Sequence, residues 1–277
     1  MTTIQQRTRN GLGIFVLLAA LLTGCVSVGD PGATITIDAT TRLFAPFITV
    51  VDPVITGSNV TIVNHDTVAH DVRSVPHASP TEAAFVNVSG PLDKTIPAGQ
   101  SITLSLTKPG LYDLYDDTQA TIDSHWRRVK AKANTAGFPY AAEAVIWVKG
   151  IITGLPARTP NSVSAGNDDF TTDFIAVSAG GTVTWHNNDT DKHYVTDPGT
   201  FGVNINPARF GDGLNQIKGT DDAPPNGGDI ALTFTTPGLY YYYCTAHAKF
   251  TPALERAMAH PAASVYPIPM EGFVLVQ

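Results

Sequence analysis

The chain of 277 residues carries 17 basic and 24 acidic side chains, a formal charge of −7, with 43% hydrophobic and 9% aromatic residues. So acidic a composition argues against a nucleic-acid partner held through phosphates and favours basic or electrostatically steered partners. Gly (24) and Pro (20) are abundant and helical periodicity is scarce, which points to an all-β architecture of one large or two ordinary domains.

Arg7 and Arg9 precede an apolar run, Ile14 to Leu22, that is too short to span a bilayer and has the layout of an export signal. Leu22-Thr23-Gly24-Cys25 resembles a bacterial lipobox, in which the Cys is acylated and becomes the mature N-terminus; the alternative is an ordinary signal peptide that contains a Cys. On the lipobox reading residues 1–24 are removed, 25–33 form a tether, and Cys25 anchors the protein to a membrane without spanning it. Loss of Arg7 and Arg9 leaves 17 − 2 = 15 basic against 24 acidic residues, a net charge of −9. The expected location is the bacterial periplasm or the outer face of the cell membrane. Cys244 then has no disulfide partner, and a lone thiol outside the cytoplasm is expected to be buried or given to a metal.

The rest of the chain repeats itself. Val60–Val72, containing Asn64, Asp66 and His70, matches Val183–Val195, containing Asn187, Asp189 and His193, with one residue of slack. Pro109-Gly110-Leu111-Tyr112 recurs as Pro237-Gly238-Leu239-Tyr240, an offset of 237 − 109 = 128, which also carries Phe138-Pro139 onto Tyr266-Pro267 and Glu143–Val148 onto Glu271–Val276. Two homologous domains are expected, 34–149 and 161–277, joined by a linker over 150–160. Alternation such as Ile102, Leu104 and Leu106 marks half-buried strands, and Pro-Gly turns open the strands that follow. A short helix is expected before the last strand of each repeat. In the first, Ser124 caps a segment with Trp126, Val129 and Ala133 on one face; in the second, Thr251-Pro252 starts a helix over 252–260. Tyr240 to Tyr243 should alternate between core and surface.

The second repeat holds His193, then Cys244 at the end of the tyrosine-rich strand, His247 three positions on, and Met270 just before the closing strand. A thiolate, two imidazoles and a weak thioether select copper, and a trigonal His2Cys set with a distant Met suits one-electron transfer. Asn188-Asp189-x-x-x-His193, Pro237-Gly238-x-Tyr240-x-Tyr242-x-Cys244, Cys244-x-x-His247 and Met270-x-Gly272-x-Val274 together resemble cupredoxins of the plastocyanin/azurin family. The resemblance implies a Greek-key β-sandwich whose type-1 copper is held by His193, Cys244, His247 and Met270. The family usually places its Met only a few residues beyond the second His, so Met258 is a rival axial ligand. It also implies that His247 lies near the surface, in an apolar rim where redox proteins dock.

Projected onto the first repeat, the ligands fall on His70, Asp116, Gln119 and Ala142, so no thiolate is present. That domain is either a degenerate copy kept for stability, orientation or docking, or it holds Cu(II) or zinc through His70, Asp116 and His125. No His-x-His pair occurs, Cys244 is flanked by Tyr243 and Thr245, and no Gly-x-Ser-x-Gly, Walker or His-Glu-x-x-His motif is present, so an enzyme is not expected. The sequence thus reads as a lipid-anchored blue copper protein of two tandem Greek-key sandwiches, passing single electrons between redox proteins. The alternatives are copper delivery without a redox circuit, or a docking protein whose first domain binds a partner.

Overall fold

The structure is a computed structural model that describes residues 32–77, 82–153, 155, 161–199, 205–210, 212–218 and 228–277; the signal segment, Cys25 and most of the linker lie outside them. Among the described residues the regular structure is β-strand and two short 3₁₀ turns. In the first half a four-stranded sheet runs in the order Phe44–Ala45, Ala33–Ile37, Asn59–Asn64, Ser101–Ser105. It faces a five-stranded sheet in the order Ile48–Val51, Glu143–Val148, Gly110–Asp116, His70–Ser74, Asp93–Ile96. The second half repeats this topology strand for strand, its five-stranded sheet running Phe174–Val177, Glu271–Val276, Gly238–Tyr243, His193–Thr196, Asp212–Ile217. The internal repeat is thus two copies of one sandwich.

Each sandwich closes on its own core. Ile35, Ile62, Val72, Leu114 and Ile146 fill the first; Val163, Trp185, Tyr240, Tyr242 and Val274 fill the second. Trp185 meets the Tyr242 ring edge-on at 5.2 Å, a favoured aromatic geometry. Gly272 is required here, because a Cβ on it would lie 2.5 Å from the Tyr242 hydroxyl.

The remaining positions of the same strands do not face solvent. Val145 and Trp147 from the first domain pack with Leu239, Tyr241, Phe273 and Leu275 from the second, around Phe47 and Phe174. The central strands of each five-stranded sheet are therefore covered on both faces, which explains the nearly unbroken apolar runs of Glu143–Val148 and Glu271–Val276. Instead of alternating between core and surface, the tyrosine strand buries Tyr240, Tyr241 and Tyr242 alike, Tyr241 in the core shared by the two domains.

The expected helices are hairpins. Asp123 accepts hydrogen bonds from the amides of His125 and Trp126 in a tight turn, and Val129–Ala131 returns antiparallel to Ala120–Ile122. In the second domain Pro252 does open a helical turn, but Glu255, at φ 52°, ends it after Pro252–Leu254. Arg256–Ala259 then pairs with Ala248–Thr251. A single left-handed residue redirects the chain before a second helical turn can form.

Each hairpin carries an arginine into the other domain, and the two arginines are themselves 256 − 128 = 128 residues apart. Arg128 donates to Asp169 at 2.7 Å and to the carbonyl of Glu271 at 2.8 Å, and pairs with Asp173 at 3.0 Å. Arg256 donates to the carbonyls of Ala141 at 2.8 Å and Phe44 at 2.6 Å, with its guanidinium 4.6 Å above the Phe47 ring. The repeat-related rings of Phe138 and Tyr266 touch at 5.9 Å, so the exchange is reciprocal about a pseudo-two-fold axis. At the opposite end Gln277 bonds Gly150 and Ile152.

His77 closes the interface beside Phe174, pairing with Asp113 at 3.1 Å and Glu82 at 3.7 Å. Burial alone would pull its pKa down, but these carboxylates outweigh burial and raise it from 6.5 to about 10. A group raised in this way contributes stability in full below its unfolded value and loses it as pH climbs through the folded one. The stability gap between the parent and His77→Ala is therefore expected to be widest below pH 6.5 and to close near pH 10 in thermal melts. Arg128→Met, which strands a buried carboxylate, is expected to cost about 3–5 kcal/mol in denaturant unfolding, with Arg128→Lys failing to restore the forked contacts.

Candidate metal centre

The loop that presents His193 is organised by one buried side chain. The Asn187 amide donates to the carbonyls of Asp191 at 2.8 Å and Ile217 at 3.2 Å, while its oxygen accepts the Asp189 amide at 2.8 Å. From the other side, the Gly238–Tyr243 strand ends at Cys244, and a turn in which the amides of His247 and Ala248 donate to the Cys244 carbonyl swings His247 back over the sulfur. Strand pairing from sequence-distant segments thus brings the donors to one point. Cys244 Sγ lies 3.5 Å from His247 Nδ1 and 3.8 Å from His193 Nδ1, and the two nitrogens are 3.1 Å apart. Both Nδ1 atoms and the sulfur face a common position, as a three-donor metal site requires.

Met270 is fully buried in the same core cluster as Cys244, and its carbonyl accepts the Cys244 amide at 2.9 Å. Met258 stands on the hairpin that leaves for the first domain, opposite Lys249 and half-buried. Met270 thus lies in the core cluster that holds Cys244, while Met258 lies outside it.

Burial pushes the Cys244 thiol up to about 11, although the Tyr194 amide donates to its sulfur at 3.3 Å. Burial, with His247 adjacent, lowers His193, so its imidazole is held neutral and able to bind a metal. The donor chemistry fits a soft metal that displaces the thiol proton on binding.

The mouth of the site differs from the apolar rim expected. His247 Nε2 lies 2.9 Å from Asp168 and 3.1 Å from Asp191, and His193 Nε2 lies 3.4 Å from Asp189. Asp168 was not singled out in the sequence; it belongs to the Asn167-Asp168 turn and reaches the site only through the fold, where it also accepts the Ser264 amide at 2.6 Å.

The first domain reproduces the scaffold without the donors. Asp116 takes the place of Cys244, its amide donating to Ala142 as Cys244 donates to Met270, both at 2.9 Å. The Asp71 amide donates to the Asp116 carboxylate at 3.3 Å, as the Tyr194 amide does to sulfur. Gln119 stands where His247 stands, its amide donating to the Asp116 carbonyl. His70 is closed on both sides, Nδ1 by Asp116 at 2.5 Å and Nε2 by Asp66 at 3.2 Å. Burial opposes protonation of His70, but the two carboxylates outweigh it and raise its pKa. His125 does not join the pair: it is exposed at a hairpin tip, stacked edge-on against Trp126 at 4.5 Å. The expected three-ligand set of harder donors is therefore not assembled.

Residues 157–251 match the model of the plastocyanin/azurin family of copper binding proteins. With the strand order and the Cys-His-His cluster, this makes the second sandwich a cupredoxin domain, and copper its cofactor. Among solved structures the chain is similar to amicyanins. A Cu(I) methionine-to-alanine mutant is 18% identical with a TM-score of 0.28, covering 44% of this chain and 86% of that one. A reduced tryptophan-to-tyrosine mutant is 25% identical with a TM-score of 0.26, covering 44% and 85%. No curated protein matches the chain.

Copper uptake is expected to release the Cys244 proton, so apparent affinity should rise about tenfold per pH unit toward pH 11, as competition with a chelator across pH would measure. Cys244→Ser should abolish thiolate-bound copper, and the first domain should take up none in its place by elemental analysis, because both nitrogens of His70 are already occupied by carboxylates.

Proposed function

We propose that the protein carries single electrons through one type-1 copper in its second domain, bound by His193, Cys244, His247 and Met270. The observation that carries this reading is the buried convergence of Cys244 Sγ and two imidazole nitrogens within 3.8 Å of one another, on strands fixed by two hydrophobic cores. Bound there, copper would supply a Cu(I)/Cu(II) couple whose geometry the protein holds nearly constant. Cys244 and His193 are fully enclosed and exclude water; His247, 12% exposed, is the edge through which a partner comes close.

Asp168 and Asp191 border that edge, so the redox partner fitted to this mouth presents a cationic surface. The apolar run Ile14 to Leu22 and the lipobox-like Leu22-Thr23-Gly24-Cys25 support an exported carrier acylated at Cys25 and working at a bacterial membrane surface, between membrane-associated or periplasmic redox proteins. The first domain serves as the fixed support of the copper domain and not as a second centre.

Visible and electron paramagnetic resonance spectra of the Cu(II) form test the assignment; absence of an intense thiolate-to-copper charge-transfer band overturns it. Met270→Leu is expected to shift that band and the reduction potential, whereas Met258→Leu should leave both unchanged. Electron exchange with a small cationic complex should slow as ionic strength rises, and Asp191→Asn should weaken that dependence in stopped-flow measurements.

A further inference from the structure

Five large hydrophobic side chains are exposed among the described residues, and the three most exposed are Val54 (94%), Ile151 (85%) and Ile55 (73%). All three lie at one end of the molecule. Val54 and Ile55 follow the strand Ile48–Val51, Ile151 follows Glu143–Val148, and these strands end side by side, with Val51 paired to Val148. The Lys149–Asp52 ion pair, at 3.0 Å, ties the two loops together.

The chain enters the fold at this same end. Ala33 pairs with Val60, and Gly32 lies against Asn59, which closes the loop bearing Val54 and Ile55. Cys244 is at the other end. It terminates a strand that starts at Gly238, on the side where Gln277 meets Gly150, so a strand length of about 20 Å separates the two ends. Seven peptide units from Cys25 to Gly32 reach about 25 Å at full extension. So short a tether reaches little farther than the height of the sandwich.

We infer that the end formed by residues 52–57 and 149–153 lies against a lipid bilayer, with Val54, Ile55 and Ile151 entering the interface and the copper mouth directed away from it. The inference rests on the proposed acylation of Cys25. Short apolar loops add a second point of contact to the lipid on Cys25, and they convert a tether into an orientation. Without such a contact, three aliphatic side chains at one end would be held in water with no compensating interaction. The outward copper end keeps the acidic mouth at Asp168 and Asp191 open to soluble or neighbouring redox proteins.

Hydrogen exchange on the acylated full chain, in detergent and in phosphatidylcholine/phosphatidylglycerol vesicles, reads this orientation. Vesicles are expected to slow exchange about threefold or more at 52–57 and 149–153, and to leave 244–251 unchanged. Equal rates at the two loops, or protection at 244–251 instead, overturns the inference. Val54→Asp with Ile55→Asp should remove the protection while leaving the copper spectrum intact; protection that survives the double substitution also overturns it. Mass spectrometry of the purified chain reads the acyl group separately. Its absence removes the anchor and this orientation together, whereas an acylated chain with unprotected loops removes the orientation alone.

Discussion

The packing of two five-stranded sheets against each other, locked by reciprocal arginines, is the constraint on which the rest of the structure depends. A sandwich normally leaves the outer face of each sheet to solvent. Here Val145 and Trp147 meet Tyr241, Phe273 and Leu275 across a shared core, so the central strands of neither sheet turn a face to solvent. Arg128 and Arg256 then bring charge into this contact, where burial would penalise it strongly. Each is compensated by carbonyls of the opposite domain, and Arg128 by Asp169 and Asp173 as well. Forked donors aimed at fixed carbonyls set orientation as well as affinity, since sliding one domain along the other would strand several hydrogen bonds at once.

That interface reaches the metal centre through one strand. Gly238–Tyr243 places Tyr240 and Tyr242 in its own sandwich and Leu239 and Tyr241 in the shared core, and Cys244 is the next residue. Across from it, Glu271–Val276 follows Met270 directly and is buried along its length. The thiol and the thioether thus hang from strands held on both faces, which limits the rearrangement available to the donors. The hairpin beyond His247 separates it from Met270 in sequence and delivers Arg256 to the first domain, so the long spacing serves docking between domains.

The first domain shows what the same scaffold does without a thiolate. Asp116 in the cysteine position and Asp66 beside it enclose His70, and the two carboxylates raise the basicity of that imidazole at the place where the second domain would hold a metal. A carboxylate–imidazole cluster stands where the second domain gathers its Cys and His side chains, and the strands on either side keep the same backbone hydrogen bonds.

Much of this was legible in the residues. The offset of 128 announced two equal sandwiches, and His193, Cys244, His247 and Met270 stood out as candidate donors because metal chemistry demands particular atoms at particular strand ends. Alternation could not show that Leu239 and Tyr241 face another domain, since an apolar side chain is the same whether its neighbour belongs to its own core or the next. Local propensity favoured helices after Ser124 and Thr251; one left-handed residue at Glu255 and the pull of cross-domain carbonyls on Arg128 and Arg256 made hairpins instead. The acidic mouth was hidden for a related reason, because Asp168 and His247 meet only when strands far apart in sequence close on each other. By itself the sequence determined the repeat, the sandwich and the candidate donors, which are local matters of pattern and chemistry. The tertiary structure alone decided what covers the sheets, what surrounds His247 and which end carries the exposed aliphatics, because these depend on distances between segments that no local pattern encodes.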